Sequence, residues 1–276
     1  MNYVEGKTIV ITGAAGGFGR LVAQKVNAMG ARVVLSDINT GELDQTLGSL
    51  ERSDNAITVV ADVADRKQMV QLADEAVRRF GAVDVMLNNA GTMPLAFFSD
   101  HGAASEAWDR CIDINFKGVL HGICAVYDRM ISQGHGHVIN VSSIYGNFPV
   151  VGAGVYGATK SAVNFLSESL RMESQGKIKV TTVKPTGVPA TGLGASVINR
   201  EAVVGILGAN MSAYAQQSEA LAAGQLPESQ LDPDSIDYFS LNPELLADQI
   251  VYVINQPLGV SISEVTVRAS GDVYIL

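Results

Sequence analysis

Tyr156 and Lys160 stand four residues apart in the run Tyr156-Gly157-Ala158-Thr159-Lys160. On a helix that spacing puts both side chains on one face. A phenol alone titrates near pH ~10 and exchanges protons poorly at neutral pH. An ammonium held against it favours the phenolate and brings it towards the working range of an acid or base. By itself such a pair is an ordinary solvated pair in most helices, so its weight rests on what surrounds it.

A second group of residues suits a phosphate-bearing ligand. Thr12-Gly13-Ala14-Ala15-Gly16-Gly17-Phe18-Gly19 lies between a strand-like run, Thr8–Thr12, and a helical stretch, Gly17–Met29. Glycines there allow a tight turn and close backbone approach, and a helix N-terminus aims N–H groups and a positive dipole at an anion. A glycine cluster alone is often only a tight turn. Asp37 follows eighteen residues after Gly19, at the end of the second strand-like run. A carboxylate there can accept hydrogen bonds from both hydroxyls of an adenosine ribose and would repel a 2′-phosphate. No Arg or Lys occurs among Ala14, Ala15 and Gly16 or directly after Asp37. NAD is therefore expected over NADP. The plainer role for Asp37 is a turn or helix cap before Ile38-Asn39-Thr40.

These groups need a scaffold, and the chain supplies one pattern throughout. Apolar β-branched runs at 8–12, 32–36, 57–60, 83–87, 137–141, 179–183 and 264–268 alternate with amphipathic helical stretches at 17–29, 41–51, 66–80, 108–131, 156–173 and 243–255. Such alternation predicts an α/β fold, a doubly wound parallel sheet of about seven strands with helices on both faces. Asp62-Val63 and Asn88-Asn89-Ala90-Gly91 then fall at strand C-terminal ends, where open α/β sheets bind ligands. No linker or short repeat divides residues 1–276, and one domain is expected.

The chain has 276 residues, 47% hydrophobic and 17% charged, enough for a large core. Its formal net charge of -9 leaves no basic stripe for nucleic acid. No run reaches the ~20 apolar residues of a membrane span, and residues 1–7 lack a signal peptide's apolar region. A cytoplasmic location is expected, with Cys111 and Cys124 reduced and buried. Neither cysteine has metal-ligand spacing. His135 and His137 read as surface residues and His121 as a satisfied helix histidine, so no metal is expected.

In this order the motifs resemble the short-chain dehydrogenase/reductase family in its compact branch. The likeness rests on Thr12-Gly-x-x-x-Gly17-x-Gly19, Asn88-Asn-Ala-Gly91, Asn115, Ser143, Tyr156-x-x-x-Lys160 and Pro185, from about Gly6 to Pro185 and again from Asn242 onward. The resemblance implies a Rossmann fold in which Tyr156 is the general acid/base and Lys160 lowers its pKa. It further implies that Ser143, rather than its neighbour Ser142, donates to the developing alkoxide. Asn115 is expected to hold a water linking Lys160 to solvent. Gly13, Gly17, Phe18, Gly19, Asp37, Asp62, Val63, Asn89 and Gly91 are implied cofactor contacts. Asn89, Tyr156, Lys160, Pro185 and Val188 are expected around the nicotinamide half, and a homodimer or homotetramer is implied.

The run Pro185-Thr186-Gly187-Val188-Pro189-Ala190-Thr191 departs from the family's Pro-Gly. Its prolines are expected to stiffen it, and either Thr186 or Thr191 can meet the carboxamide, with Thr191 favoured. Residues 191–238 are long for this position and predict a helical lid whose apolar face includes Leu193, Val197, Ile198, Val203, Ile206, Leu207 and Met211. With Met93, Pro94, Leu95, Phe97 and Phe98, and with Tyr145, Phe148, Val150 and Val151, the lid suggests a mostly apolar pocket. Much of this set is equally able to serve as packing between lid and core. The expected substrate is a hydrophobic secondary alcohol or ketone. A reductase of carrier-bound 3-oxoacyl groups and a non-catalytic dinucleotide sensor are the alternatives.

Overall fold

The computed structural model describes residues 1–188 and 191–275; Pro189, counted above among the stiffening prolines, lies outside them. Its strands are β1 (Thr8–Thr12), β2 (Arg32–Asp37), β3 (Ala56–Val60), β4 (Val85–Asn88), β5 (His137–Val141), β6 (Lys179–Pro185) and β7 (Glu264–Val267). They form a seven-stranded sheet in the order β3-β2-β1-β4-β5-β6-β7, parallel at each junction. The order reverses between β1 and β4, the crevice where doubly wound sheets hold ligands.

The helices are α1 (Gly17–Ala28), α2 (Thr40–Gly48), α3 (Arg66–Phe80), α4 (His101–Cys111), α5 (Gly118–Gln133), α6 (Gly154–Glu173), α7 (Val204–Leu207), α8 (Met211–Ala222), α9 (Glu228–Leu231) and α10 (Pro243–Ile254). Alternate strand residues serve opposite layers. Ile9, Ile11, Leu35, Leu87 and Ile139 pack with Val22 and Val26 of α1 and Leu246 and Ile250 of α10. Val10, Val34, Met86, Val138 and Val180 pack with Met69 and Leu72 of α3, Val126 of α5 and Val163 of α6. A strand buried on both sides therefore has no polar face, which is why β1 reads Thr-Ile-Val-Ile-Thr.

Two helix starts show the local rules at work. The Asp65 carboxylate accepts from the Lys67 and Gln68 N–H groups ahead of α3, and Gly81 ends that helix at φ 86°. Asn242 caps α10 in the same way, with Pro243 at the first helical position. The central helix departs from expectation. It begins at His101 rather than near Trp108, and Ile112–Lys117, including Asn115, form a π-helical segment between α4 and α5.

Helix α6 is held in place by a buried polar relay. Asn88 donates to the Asn140 side chain at 2.8 Å, Asn140 donates to Ser167 Oγ at 2.9 Å, and Ser167 donates to the Val163 carbonyl at 2.7 Å. Gly122 of α5 is required beside it, because a Cβ there would stand 2.0 Å from Asn88 Oδ1. The relay joins β4, β5 and α6, so the helix carrying Tyr156 has a defined register on the sheet. Among the described residues, no helix is long and apolar enough to cross a membrane.

Candidate active site

The C-terminal ends of the strands open into one cleft of about 1130 Å³. Gly13 follows β1, Asp37 ends β2, Asp62 and Val63 follow β3, Asn89 and Gly91 follow β4, Ser143 follows β5, and Pro185 and Val188 lie at and after the end of β6. Gly17, Phe18, Tyr156, Lys160 and Thr191 line it as well. Single ligand sites are commonly ~300–1,000 Å³, so this cleft has room for two molecules side by side.

At one end the glycines make close approaches. A Cβ on Gly19 would lie 2.1 Å from the Gly13 carbonyl oxygen, and one on Gly13, whose φ is +67°, would lie 2.9 Å from Ala90 Cα. Gly17 has φ +48° and faces the Thr191 carbonyl. Asn89 binds this turn to β4, donating from Nδ2 to the carbonyls of Thr12 at 3.0 Å and Gly13 at 3.1 Å. The Asp37 carboxylate accepts from Ala15 N at 3.3 Å and from Asn39 N at 3.1 Å, and Glu42 lines the cleft nearby. Arg20 is turned to the Ala15 carbonyl and to Thr46 Oγ1. Asp62 accepts from Ala64 N at 2.9 Å, while Val63 packs on Gly118. A turn that tolerates no Cβ at Gly13 or Gly19, at a helix N-terminus with a carboxylate beside it, fits the phosphates and ribose of a dinucleotide.

At the other end lie the hydroxyls. Tyr156 and Lys160 share one face of α6, with Lys160 Nζ 5.7 Å from the Tyr156 ring centroid and donating to the Val141 carbonyl at 2.9 Å. Ser143 Oγ accepts from Tyr145 N at 3.3 Å, which leaves its own proton for the Tyr156 phenol, whose pKa it lowers. Ser142 is occupied elsewhere, donating to the Lys160 carbonyl at 3.0 Å. The Tyr145 ring meets Tyr156 edge-on at 5.5 Å between centroids.

The electrostatics differ from expectation. Burial raises the Tyr156 phenol well above its ordinary range, and the Ser143 hydrogen bond offsets only part of that rise. Burial also pushes the Lys160 ammonium down to about 8. Low polarity thus dominates the proton affinity of both groups.

Asn115 is fully buried and its amide is committed to Thr92, accepting from the Thr92 N–H at 2.9 Å and donating to the Thr92 carbonyl at 2.8 Å. It stands close to Gly91, where an added Cβ would lie 3.4 Å from Asn115 Oδ1 and 3.7 Å from Lys160 Nζ. The structure thus brings Asn115, Ser143, Tyr156 and Lys160 to one locus. The Thr186 hydroxyl, in the same cleft, is buried with no hydrogen-bond partner.

Several expectations need correction. Phe98, Phe148 and Val151 are exposed and stand outside the cleft, as does Ile198 of the lid. Cys124 is exposed, whereas Cys111 is buried as expected. His137 is buried within β5, not at the surface, and donates from Nε2 to Thr181 Oγ1 at 2.8 Å. Thr181 spends its own proton on the Ile262 carbonyl, which fixes that direction. Sequence reading also missed Tyr214, Phe239 and Tyr274 as lining residues. The only signal was a pair of tyrosines and a phenylalanine in segments otherwise rich in Ala, Ser and Asp.

Comparison with known proteins agrees with this geometry. Residues 7–202 match the model of the short chain dehydrogenase family. An uncharacterized oxidoreductase of Listeria monocytogenes is 33% identical over 268 residues, covering 96% of both chains. A short chain dehydrogenase/reductase from Burkholderia phymatum in complex with NAD superimposes with a TM-score of 0.74 at 27% identity, covering 96% of this chain and 90% of that one. The closed form of a serine dehydrogenase complexed with NADP+ gives 0.75 at 26% identity, covering 94% of each chain. Solved relatives thus carry either nicotinamide cofactor. The chain belongs to the short-chain dehydrogenase family of oxidoreductases, whose fold binds a nicotinamide dinucleotide.

Proposed function

We propose that this protein is an NAD(H)-dependent alcohol dehydrogenase/ketone reductase acting on hydrophobic secondary alcohols and ketones. The observation that carries the reading is the Ser143–Tyr156 hydroxyl pair, buried at the strand ends in the same cleft as the glycine cradle. We read residues 1–276 as one domain, with 191–238 as a lid over that cleft.

In this reading a bound nicotinamide supplies or accepts the hydride. Gly13, Gly17, Phe18 and Gly19 hold the pyrophosphate, and Asp37 holds the adenosine ribose. Asp62 and Val63 border the adenine, while Asn89, Gly91, Pro185 and Val188 border the nicotinamide half. Thr191, whose carbonyl faces Gly17, belongs to the phosphate end. Thr186 is the better partner for the carboxamide, because its buried hydroxyl has no other bond to make.

Tyr156 protonates the carbonyl oxygen as it gains charge. A phenol held protonated by burial is a competent acid towards an alkoxide, which is a far stronger base. Ser143 donates to the same oxygen and stabilises the developing charge. Lys160, titrating near 8, supplies positive charge as the phenol gives up its proton. Asn115 positions the loop at Thr92 and Gly91 that borders Lys160, its amide accepting from the Thr92 N–H and donating to the Thr92 carbonyl.

Asp37 and Glu42 at the ribose end support NAD over NADP, since two carboxylates there would repel a 2′-phosphate. The test is absorbance at the reduced-nicotinamide band with NADH and NADPH against a panel of ketones. Tyr156→Phe should lower turnover by about 10³-fold while NADH binding stays within about twofold. Unchanged turnover in that variant would end the proposal.

A further inference from the structure

The cleft holds a second polar group that the proposed reaction does not use. Tyr274, on the C-terminal tail, lies with its hydroxyl against Gly187: a Cβ on that glycine would fall 1.8 Å from the phenol oxygen. The Tyr214 ring, on the lid helix α8, is 5.9 Å from the Tyr274 ring at an interplanar angle of 52°. Tyr214 also meets Phe239 at 6.3 Å. These rings line the same cleft as Ser143 and Tyr156.

The tail is secured at several points. Ile275 N donates to the Ile206 carbonyl at 3.0 Å, and Asn210 Nδ2 donates to the Val273 carbonyl at 2.9 Å. The Arg268 guanidinium donates to the Tyr274 carbonyl at 2.7 Å and pairs with Asp272. Tyr274 is thus placed by backbone bonds to the lid on one side and by a charged turn on the other.

Each phenol carries one proton, so even if the neighbouring pair shares one between its oxygens the other is left for a ligand. The ionisable groups acting on the Tyr274 phenol are Tyr214, Tyr145 and Asp272, and the nearby Arg268 guanidinium is committed to Asp272 and the Tyr274 carbonyl. The pair therefore presents neutral hydroxyl donors, which suit an uncharged oxygen acceptor. We propose that Tyr214 and Tyr274 are the specificity-determining pair of this site, selecting carbonyl substrates that carry a second, uncharged oxygen acceptor remote from the reacting carbon. This rests on the ketone-reductase reading and adds the substrate class to it.

The test compares ethyl oxoalkanoates, in which the ester lies two to five carbons from the ketone, with plain methyl ketones of matched length. Tyr274→Phe and Tyr214→Phe should each raise KM for the best oxo ester about tenfold, leaving kcat and the plain ketones within about twofold. Calorimetric binding of the same ester should weaken in parallel, and NADH binding, unchanged, reports that the variants are folded. Equal effects on esters and plain ketones, or none on either, would overturn the proposal while leaving the reductase reading intact. Failure of the parent protein to reduce any ketone with either cofactor would instead remove the reductase reading, and the substrate class with it.

Discussion

Lys160 stands 5.7 Å from the centre of the Tyr156 ring, yet its ammonium is tied to the Val141 carbonyl rather than to the phenol oxygen. The two groups are neighbours through a shared buried environment. That environment, more than their direct contact, decides how each holds its proton.

A pH dependence follows. The Lys160 ammonium, lowered to about 8 by burial, is charged below that pH and neutral above it. Its charge favours proton loss from Tyr156, so ketone reduction should fall about tenfold per pH unit above pH 8. Lys160→Met should lower the rate throughout and abolish that limb. Initial rates between pH 6 and 10 at saturating cofactor are the check.

The contact between Gly19 and Gly13 predicts a sharp effect from one methyl group. Gly19→Ala would drive a Cβ into the Gly13 carbonyl, 2.1 Å away, and neither partner is the end of a flexible side chain. Overpacking of this kind costs about 1–3 kcal/mol. Dinucleotide affinity should fall at least tenfold, with the melting temperature several degrees lower, by fluorescence titration and thermal scanning.

Asp37 should set cofactor choice. Asp37→Ser removes a carboxylate that, among the described residues, accepts from the Ala15 and Asn39 N–H groups, so the fold should tolerate the change. Affinity for NADH should fall about tenfold and that for NADPH should rise by a similar factor, with Glu42 holding the gain in check. Side-by-side titrations with the two cofactors measure it.

His137 makes the protein acid-sensitive. It is buried and neutral, its Nδ1 has no partner, and burial, followed by the charges of Lys179 and Lys7, holds its pKa well below the ordinary value. Below pH ~6.5 the unfolded chain binds a proton that the folded chain refuses, so stability is lost as pH falls. The loss should approach ~1.4 kcal/mol per pH unit, and His137→Gln should remove it. Urea denaturation of both proteins at pH 5 and pH 8 tests the difference.

The parallel sheet was legible because its inner strands are buried on both faces and so carry apolar runs, as in Ile9-Val10-Ile11 of β1 and Val85-Met86-Leu87 of β4. The glycine cradle and the Tyr156–Lys160 face were legible because backbone approach and helical spacing are local properties. The start of α4 was hidden: His101–Ala107 holds Gly, Ala and Ser without apolar periodicity, and the helix is fixed instead by the turn at Phe97–Asp100. The π-helical segment around Asn115 left no sequence mark. His137 was misjudged because its flanking glycine suggested a loop, whereas the ring is enclosed by pairing of β5 with β6. Tyr214 and Tyr274 lie sixty residues apart, and only folding of the tail onto the lid brings them together.

The bond from Ile275 to Ile206 has a mechanical meaning. The tail descends from β7, which ends the sheet order beside β6. Rim, tail and roof are thus one continuous strap. Any movement of residues 204–207 away from the cleft has to break that fastening or draw the tail along with it.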